Sequence, residues 1–244
     1  MIRTRAEYEA GLAHLAACDD RMAHIIANCT KTMFDFDSPV AQVEPFEALS
    51  RSIIYQQLSG KAASTILGRF LGLFDIATDP SSPGAVPRQT TASAPTFPTP
   101  QQVLAQTMEQ LRSVGLSGRK AEYLLGLAEL CKDGTITRDK IMGLSDADLS
   151  KLLCSVRGIG QWTVDMFMMF RLRRPNVLPV GDLGVRRGMT IHFTKTGAVA
   201  AKKKNELISI DDMIRLAEPW VPYRTLGSFM MWQFQDMQIP EPSN

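Results

Sequence analysis

The chain has 244 residues, 27 Lys+Arg against 25 Asp+Glu, a formal net charge of +2 and 45% hydrophobic residues. That length suits one large domain or two small ones with a shared core, and the composition excludes disorder over the whole chain. No run of about 18 apolar residues is present, so no spanning helix is expected, and residues 1–9 offer neither an apolar nor an acid-free amphipathic leader.

Taken in chain order, most segments read as helix. Phe46, Leu49, Ile53, Ile54 and Leu58 recur at three- and four-residue steps, which predicts an amphipathic helix over residues 45–58. Ser59-Gly60 breaks it, and a second stripe follows at Ala63, Ile66, Leu67, Phe70 and Phe74. Residues 77–100 hold six of the fourteen prolines, three Ser and five Thr, and read as a surface loop. Thr99-Pro100-Gln101-Gln102 then places a capping residue, a first-turn proline and a Gln at N3, so a helix begins there. Further helices are predicted over 119–131, 145–153, 162–172, 183–193, 211–217 and 224–237, with a Lys-rich loop at 194–205. Alternating strand patterns are nearly absent. The expectation is a mostly α protein with no domain boundary at either loop.

Charge is unevenly placed. From residue 157 to residue 204 there are ten basic residues and two acids, giving +8 and leaving −6 for the rest. A basic segment on a nearly neutral chain suggests a localised polyanion-binding face, against the alternative of a solvated charged surface. Cys18, Cys29, Cys131 and Cys154 are widely spaced with no C-x-x-C, and there are three histidines. Neither a zinc set nor an iron–sulfur cluster is expected, and the cysteines read as reduced, buried thiols.

Two motifs carry chemistry. In Arg157-Gly158-Ile159-Gly160-Gln161-Trp162-Thr163 one helix runs into Gly-Ile-Gly and another starts at once. Two glycines permit positive φ and close approach of the backbone to another molecule, and the N–H groups of the turn form a phosphate site. Ile159 is expected to face inward. About twenty residues on, Asp182 stands where an apolar segment ends and a helix starts. It reads as a helix N-cap, and also as a carboxylate that helix N–H groups keep ready to stabilise an oxocarbenium-like sugar cation.

This pairing resembles the helix-hairpin-helix DNA glycosylase superfamily, and more closely its alkylbase (3-methyladenine) DNA glycosylases of the second type. Four further segments carry the likeness: Ser52-Ile53-Ile54-Tyr55-Gln56-Gln57-Leu58-Ser59, Gly115-Leu116-Ser117-Gly118-Arg119-Lys120-Ala121-Glu122-Tyr123-Leu124, Trp162-Thr163, and Trp220-Val221-Pro222-Tyr223-Arg224-Thr225 through Trp232. The resemblance implies an all-α fold of two helical subdomains with a DNA- and base-binding cleft between them, one unit over residues 1–244, and Asp182 as the catalytic carboxylate. It implies that Gly158, Gly160 and Thr163 hold a DNA phosphate, with Ser117 and Lys120 also on DNA. It puts Leu58, with Gln57 and Ser59, in the minor groove, filling the gap of an extruded nucleotide. Tyr55, Trp162, Met166 and Trp232 match base-pocket positions. Main-chain carbonyls of Cys154, Val156 and Ile159 match a site for Na+ or K+, and no other cofactor is implied.

Each residue also has a plainer reading. Leu58, Trp162, Trp232, Met166, Met168 and Met169 fit core positions, and Lys120 fits a solvated surface. Departures from the pattern matter as well. Trp162 stands where the lyase branch has a lysine, so no Schiff base forms and a monofunctional N-glycosyl hydrolase of the 3-methyladenine glycosylase II type is implied. Leu183 replaces an aromatic of some relatives. The implied partner is double-stranded DNA carrying alkylated purines, met by a monomer in a nucleus or bacterial nucleoid, away from membranes. The alternatives are a non-catalytic binder of abasic or alkylated DNA, and a glycosylase for another damaged base.

Overall fold

The structure, a computed structural model, describes residues 1–36, 44–76, 97–199 and 206–236. Among the described residues every element is helical. Two helices open the chain, α1 (Arg5–Ala16) and α2 (Asp20–Asn28). They are followed by α3 (Pro45–Tyr55), α4 (Gly60–Gly72), α5 (Pro100–Leu104), α6 (Met108–Ser113), α7 (Gly118–Lys132), α8 (Arg138–Gly143) and α9 (Asp146–Cys154). Next, α10 (Gln161–Met166) continues into a π-helical turn over Phe167–Arg171. The chain closes with α11 (Leu183–Lys195), α12 (Ile210–Leu216) and α13 (Arg224–Asp236).

The chain divides into two compact units, one of Met1–Ala41 with Asp165–Asn244, the other of Gln42–Val164. In the second unit α7 is the central element, packed by α3, α5 and α6. Leu49, Ile53, Leu67, Phe70, Val103, Leu124 and Leu127 are fully buried there. Burying each such side chain contributes about 1.5–3 kcal/mol, so this stripe-on-stripe packing holds short helices that are unstable alone. In the first unit α13 packs on α11, α1 and α2 around Leu15, Met22, Ile25, Met189, Trp220, Leu226 and Met231. A Cβ at Gly188 would lie 2.3 Å from the Met231 carbonyl oxygen, so α11 and α13 approach closely only because that position is glycine.

Local sequence explains most boundaries. Thr99 and Gln102 form the expected capping box of α5, and the same pattern starts α1 at Thr4 and α6 at Thr107. Three boundaries differ from expectation. The helix predicted to Leu58 ends at Tyr55, because Gln57 is left-handed with φ 57°. The helix predicted over 162–172 widens after Met166, with the Leu172 N–H donating to the Phe167 carbonyl five residues back. Thr194 and Lys195, expected to open the Lys-rich loop, finish α11 instead; residues 200–205 of that loop lie outside the described residues. The same holds for 77–96 of the Pro-rich stretch, whose end is docked: Phe97 is 9% exposed and packs on Phe46 and Phe70.

Candidate active site

The hairpin follows α9. The Ile159 N–H donates to the Val156 carbonyl, and Ile159 is 4% exposed, facing inward as expected. The two glycines have different duties. Gly158 has φ 87°, and a Cβ on it would meet the Tyr123 ring at 2.1 Å, so the close approach it permits is to a side chain of α7. Gly160 does not need positive φ, and nothing lies within 4 Å of where its Cβ would be, so it is the glycine that leaves room outside the turn. Arg157 is exposed and Trp162 is 50% exposed, whereas Thr163, at 5%, faces the interior.

Before α4 the chain makes a second exposed feature. Leu58 is 39% exposed, so its core alternative falls away, and it follows the left-handed Gln57. Ser59 accepts from the Ala62 N–H and Ser117 from the Lys120 N–H, so both predicted DNA-contacting serines serve as N-caps, of α4 and α7. Tyr55 is half-buried. Lys120 has internal partners: its Nζ donates to the Ile54 and Gln56 carbonyls, both at 2.7 Å, and burial lowers its pKa.

In the first unit Asp182 is 8% exposed and caps α11, Oδ1 accepting from the Val185 N–H at 2.8 Å. The same Oδ1 accepts from the Trp232 indole Nε1–H at 2.7 Å. The N-cap reading of Asp182 therefore holds, and two donors fix its buried carboxylate in place. Trp232 stacks on Phe170, centroids 5.7 Å apart and planes at 16°. The π-helical turn leaves Phe170 41% exposed while Phe167, Met168 and Met169 are buried, and Met166, one turn before Phe170, is half-buried. A Cβ on Gly184 would lie 2.6 Å from Trp232 Cδ1, so glycine there admits the indole. Gln235 Nε2 donates to the Gly184 and Met231 carbonyls, tying the start of α11 to α13. Leu183 is 51% exposed beside this carboxylate in sequence.

Phe170, Gly184 and Gln235 were not anticipated from sequence. Phe170 stands four residues after Met166, a helical spacing, and lies in the π-helical turn, stacked on Trp232. The cysteines also depart from expectation: Cys154 is exposed, and Cys18, Cys29 and Cys131 are half-buried, burial pushing the Cys131 thiol up to about 12. Among the described residues no group of three or more His, Cys, Asp or Glu side chains is placed to hold a metal ion, and no helix is long and apolar enough to cross a membrane.

Comparison with known proteins fits this arrangement. Residues 50–209 match the HhH-GPD superfamily base excision DNA repair protein family, where HhH stands for helix-hairpin-helix. The chain belongs to this family. The matched stretch contains Leu58, the Gly158–Gly160 hairpin and Asp182, and stops short of Trp232. DNA-3-methyladenine glycosylase 1 of Schizosaccharomyces pombe is 28% identical over 224 residues, 90% of this chain and 84% of that protein. The structure of the 3-methyladenine DNA glycosylase Mag1 from the same yeast, in complex with abasic DNA, aligns with TM-score 0.67 at 26% identity, over 94% of this chain and 98% of that one. A DNA-3-methyladenine glycosidase from Bacillus halodurans aligns with TM-score 0.71 at 28% identity, over 91% and 88% of the two chains. The family's HhH-GPD fold is thus shared well beyond the matched segment.

Proposed function

We propose that this member of the family is a monofunctional DNA glycosylase that extrudes alkylated purines of the 3-methyladenine and 7-methylguanine type from duplex DNA and hydrolyses their N-glycosidic bond. The observation that carries the reading is the Asp182 carboxylate, buried and held by two donors next to the Trp232–Phe170 stack. A purine methylated at N3 or N7 is cationic and leaves without a general acid, so one carboxylate suffices where glycosidases that protonate their leaving group use two. The carboxylate stabilises the positive charge that develops on the sugar and orients the attacking water. Aromatic faces attract an electron-poor cationic base. Extrusion itself costs a few kcal/mol and is easiest at damaged pairs, which adds selectivity.

The second unit supplies the DNA-holding parts of the reading. The turn at Gly158–Gly160 grips a backbone phosphate, and Leu58 fills the space of the extruded nucleotide. Trp162 occupies the position where a lyase would need an amine, so strand cleavage does not follow base release. The carbonyls of Cys154, Val156 and Ile159 are neutral oxygen donors with no carboxylate among them, which fits a monovalent cation and would add positive charge next to the gripped phosphate. The protein acts as a monomer on chromosomal DNA, in a nucleus where the cell has one. The relatives named for 3-methyladenine support the substrate class.

The test is base release from a duplex containing 3-methyladenine or 7-methylguanine, with Asp182→Asn alongside. The wild type should free the base and leave the strand intact, and Asp182→Asn should bind an abasic duplex without excising. Full excision by Asp182→Asn would overturn the mechanism.

A further inference from the structure

The interior partners of Lys120 raise the question of what that lysine does. Among the described residues α3 ends at Tyr55, and the carbonyls of its last turn carry the negative end of the helix dipole with no further helical N–H to accept. Lys120 Nζ donates to two carbonyls of this ending, Ile54 and Gln56. Directly afterwards Gln57 adopts φ 57°, a conformation that costs a non-glycine residue energy and persists only where neighbours enforce it. Leu58 follows, exposed. A second tie leaves the same corner: Gln56 Nε2 donates to the Gly158 carbonyl at 2.9 Å. Gly158 in turn rests on the ring of Tyr123, which lies one helical turn from Lys120 on α7.

We propose that Lys120 and Gln56 are positioning residues that fix the Leu58 corner and the hairpin to one another through α7, so that wedge and phosphate grip meet DNA as one preformed element. This rests on the DNA-binding part of the proposed function and not on excision. A side chain pushed into a base stack works against the duplex, and a corner free to pivot relative to the phosphate grip would yield. The lysine serves this purpose where its ammonium is turned inward, bridging two carbonyls that a phosphate-contacting lysine would leave alone. Its charge stabilises the helix end and makes no demand on an outside anion.

The experiment separates this role from a phosphate contact and from general support of the fold. Binding to a duplex with a 2-aminopurine beside an abasic site is measured over a range of salt, for wild type, Lys120→Met, Gln56→Ala and Leu58→Ala, and for the double variants Lys120→Met/Leu58→Ala and Gln56→Ala/Leu58→Ala. Lys120→Met should lose the unstacking fluorescence while the slope of log K against log salt stays as in wild type, and neither Lys120→Met nor Gln56→Ala should reduce the signal further once Leu58 is Ala. A salt slope reduced by about one would make Lys120 a phosphate ligand and overturn the proposal. So would an equal loss in the wild-type and Leu58→Ala backgrounds, which marks mere structural support. Should Lys120→Met fail to fold, Gln56→Ala, which cuts only the tie to Gly158, decides: full fluorescence from it overturns the proposal. The assay reads binding and unstacking without base release, so failure of the excision mechanism and failure of the positioning role are read separately.

Discussion

Gly184 offers the sharpest perturbation of the carboxylate site, because one added methyl group acts on one hydrogen bond. In Gly184→Ala the new Cβ would stand 2.6 Å from Trp232 Cδ1, 2.7 Å from its Nε1 and 3.1 Å from Asp182 Oδ1. Carbon atoms rest at about 3.5–4.0 Å, so the indole must retreat by roughly 1 Å. The 2.7 Å bond from its N–H to Asp182 does not survive that retreat. A hydrogen bond to a charged group contributes about 1.5–3 kcal/mol, which at about 1.4 kcal/mol per factor of ten makes excision roughly 10- to 150-fold slower. Ala is a better helix residue than Gly by up to about 1 kcal/mol, which offsets only part of the lost bond, so the melting temperature should fall by a few degrees while the rate collapses. The assay is single-turnover release of 7-methylguanine with enzyme in excess, beside affinity for an abasic duplex, which should be unchanged. Trp232→Phe, which keeps a ring against Phe170 but loses the donor and part of the indole's bulk, should fall at least as far, and adding Gly184→Ala to it should cost little more. A Gly184→Ala protein that excises at the wild-type rate, or costs that add in the double variant, would refute the reasoning.

Two further outcomes concern stability. Gly158→Ala introduces a side chain at φ 87° and sets its Cβ 2.1 Å from the Tyr123 ring; denaturant melts should show a loss of about 2 kcal/mol or more, and an unchanged midpoint would mean that the turn can rearrange. Asp19 caps α2 and faces the fully buried His192, 3.2 Å from its Nε2. Burial pushes the Asp19 carboxyl up, but the hydrogen bond and charge of His192 and the N–H groups of Met22 and Arg21 outweigh it, so its pKa lies below the ordinary value. A depressed carboxyl contributes stability that is present above its unfolded value of about 3.9 and lost as pH falls through the folded one. Asp19→Asn should therefore melt lower than wild type at neutral pH and converge with it below about pH 4; parallel curves across that window would count against the pair.

How far the sequence could be read depended on how far apart the partners lie along the chain. The capping box at Thr99, the inward Ile159 and the N-cap role of Asp182 are local, settled within three or four residues, and each was legible. The capping boxes at Thr4 and Thr107 carry the same pattern, but α1 buries only Tyr8, Gly11 and Leu15, a stripe too thin to stand out in the sequence. The remaining differences need contacts at long range. The early end of α3 is held by a lysine 66 and 64 residues away, and Trp232 reaches Asp182 across 50 residues. The outward turn of Phe170 depends on a π-helical insertion that hydrophobic periodicity does not register.

The +8 stretch shows how placement changes a charge argument. Arg173 lies over the rings of Phe34 and Phe36 and donates to the Asp35 carbonyl, and Arg186 donates to the Ile208 carbonyl. Arg174 is half-buried as well, whereas Arg157, Arg171 and Arg187 are exposed. A cation engaged with its own chain releases no counterion when DNA binds, so the salt dependence must come from the exposed members of the stretch and not from all ten of its basic residues. The contrast is testable in one pair. Arg157→Ala, beside the hairpin glycines, should weaken binding to damaged and undamaged duplex alike and shallow the salt slope by about one. Arg186→Ala should leave that slope intact and lower the melting temperature, because it strips a donor from the Ile208 carbonyl. If Arg186→Ala changes the slope as much as Arg157→Ala does, the basic segment works as one continuous face, and the division drawn from burial is wrong.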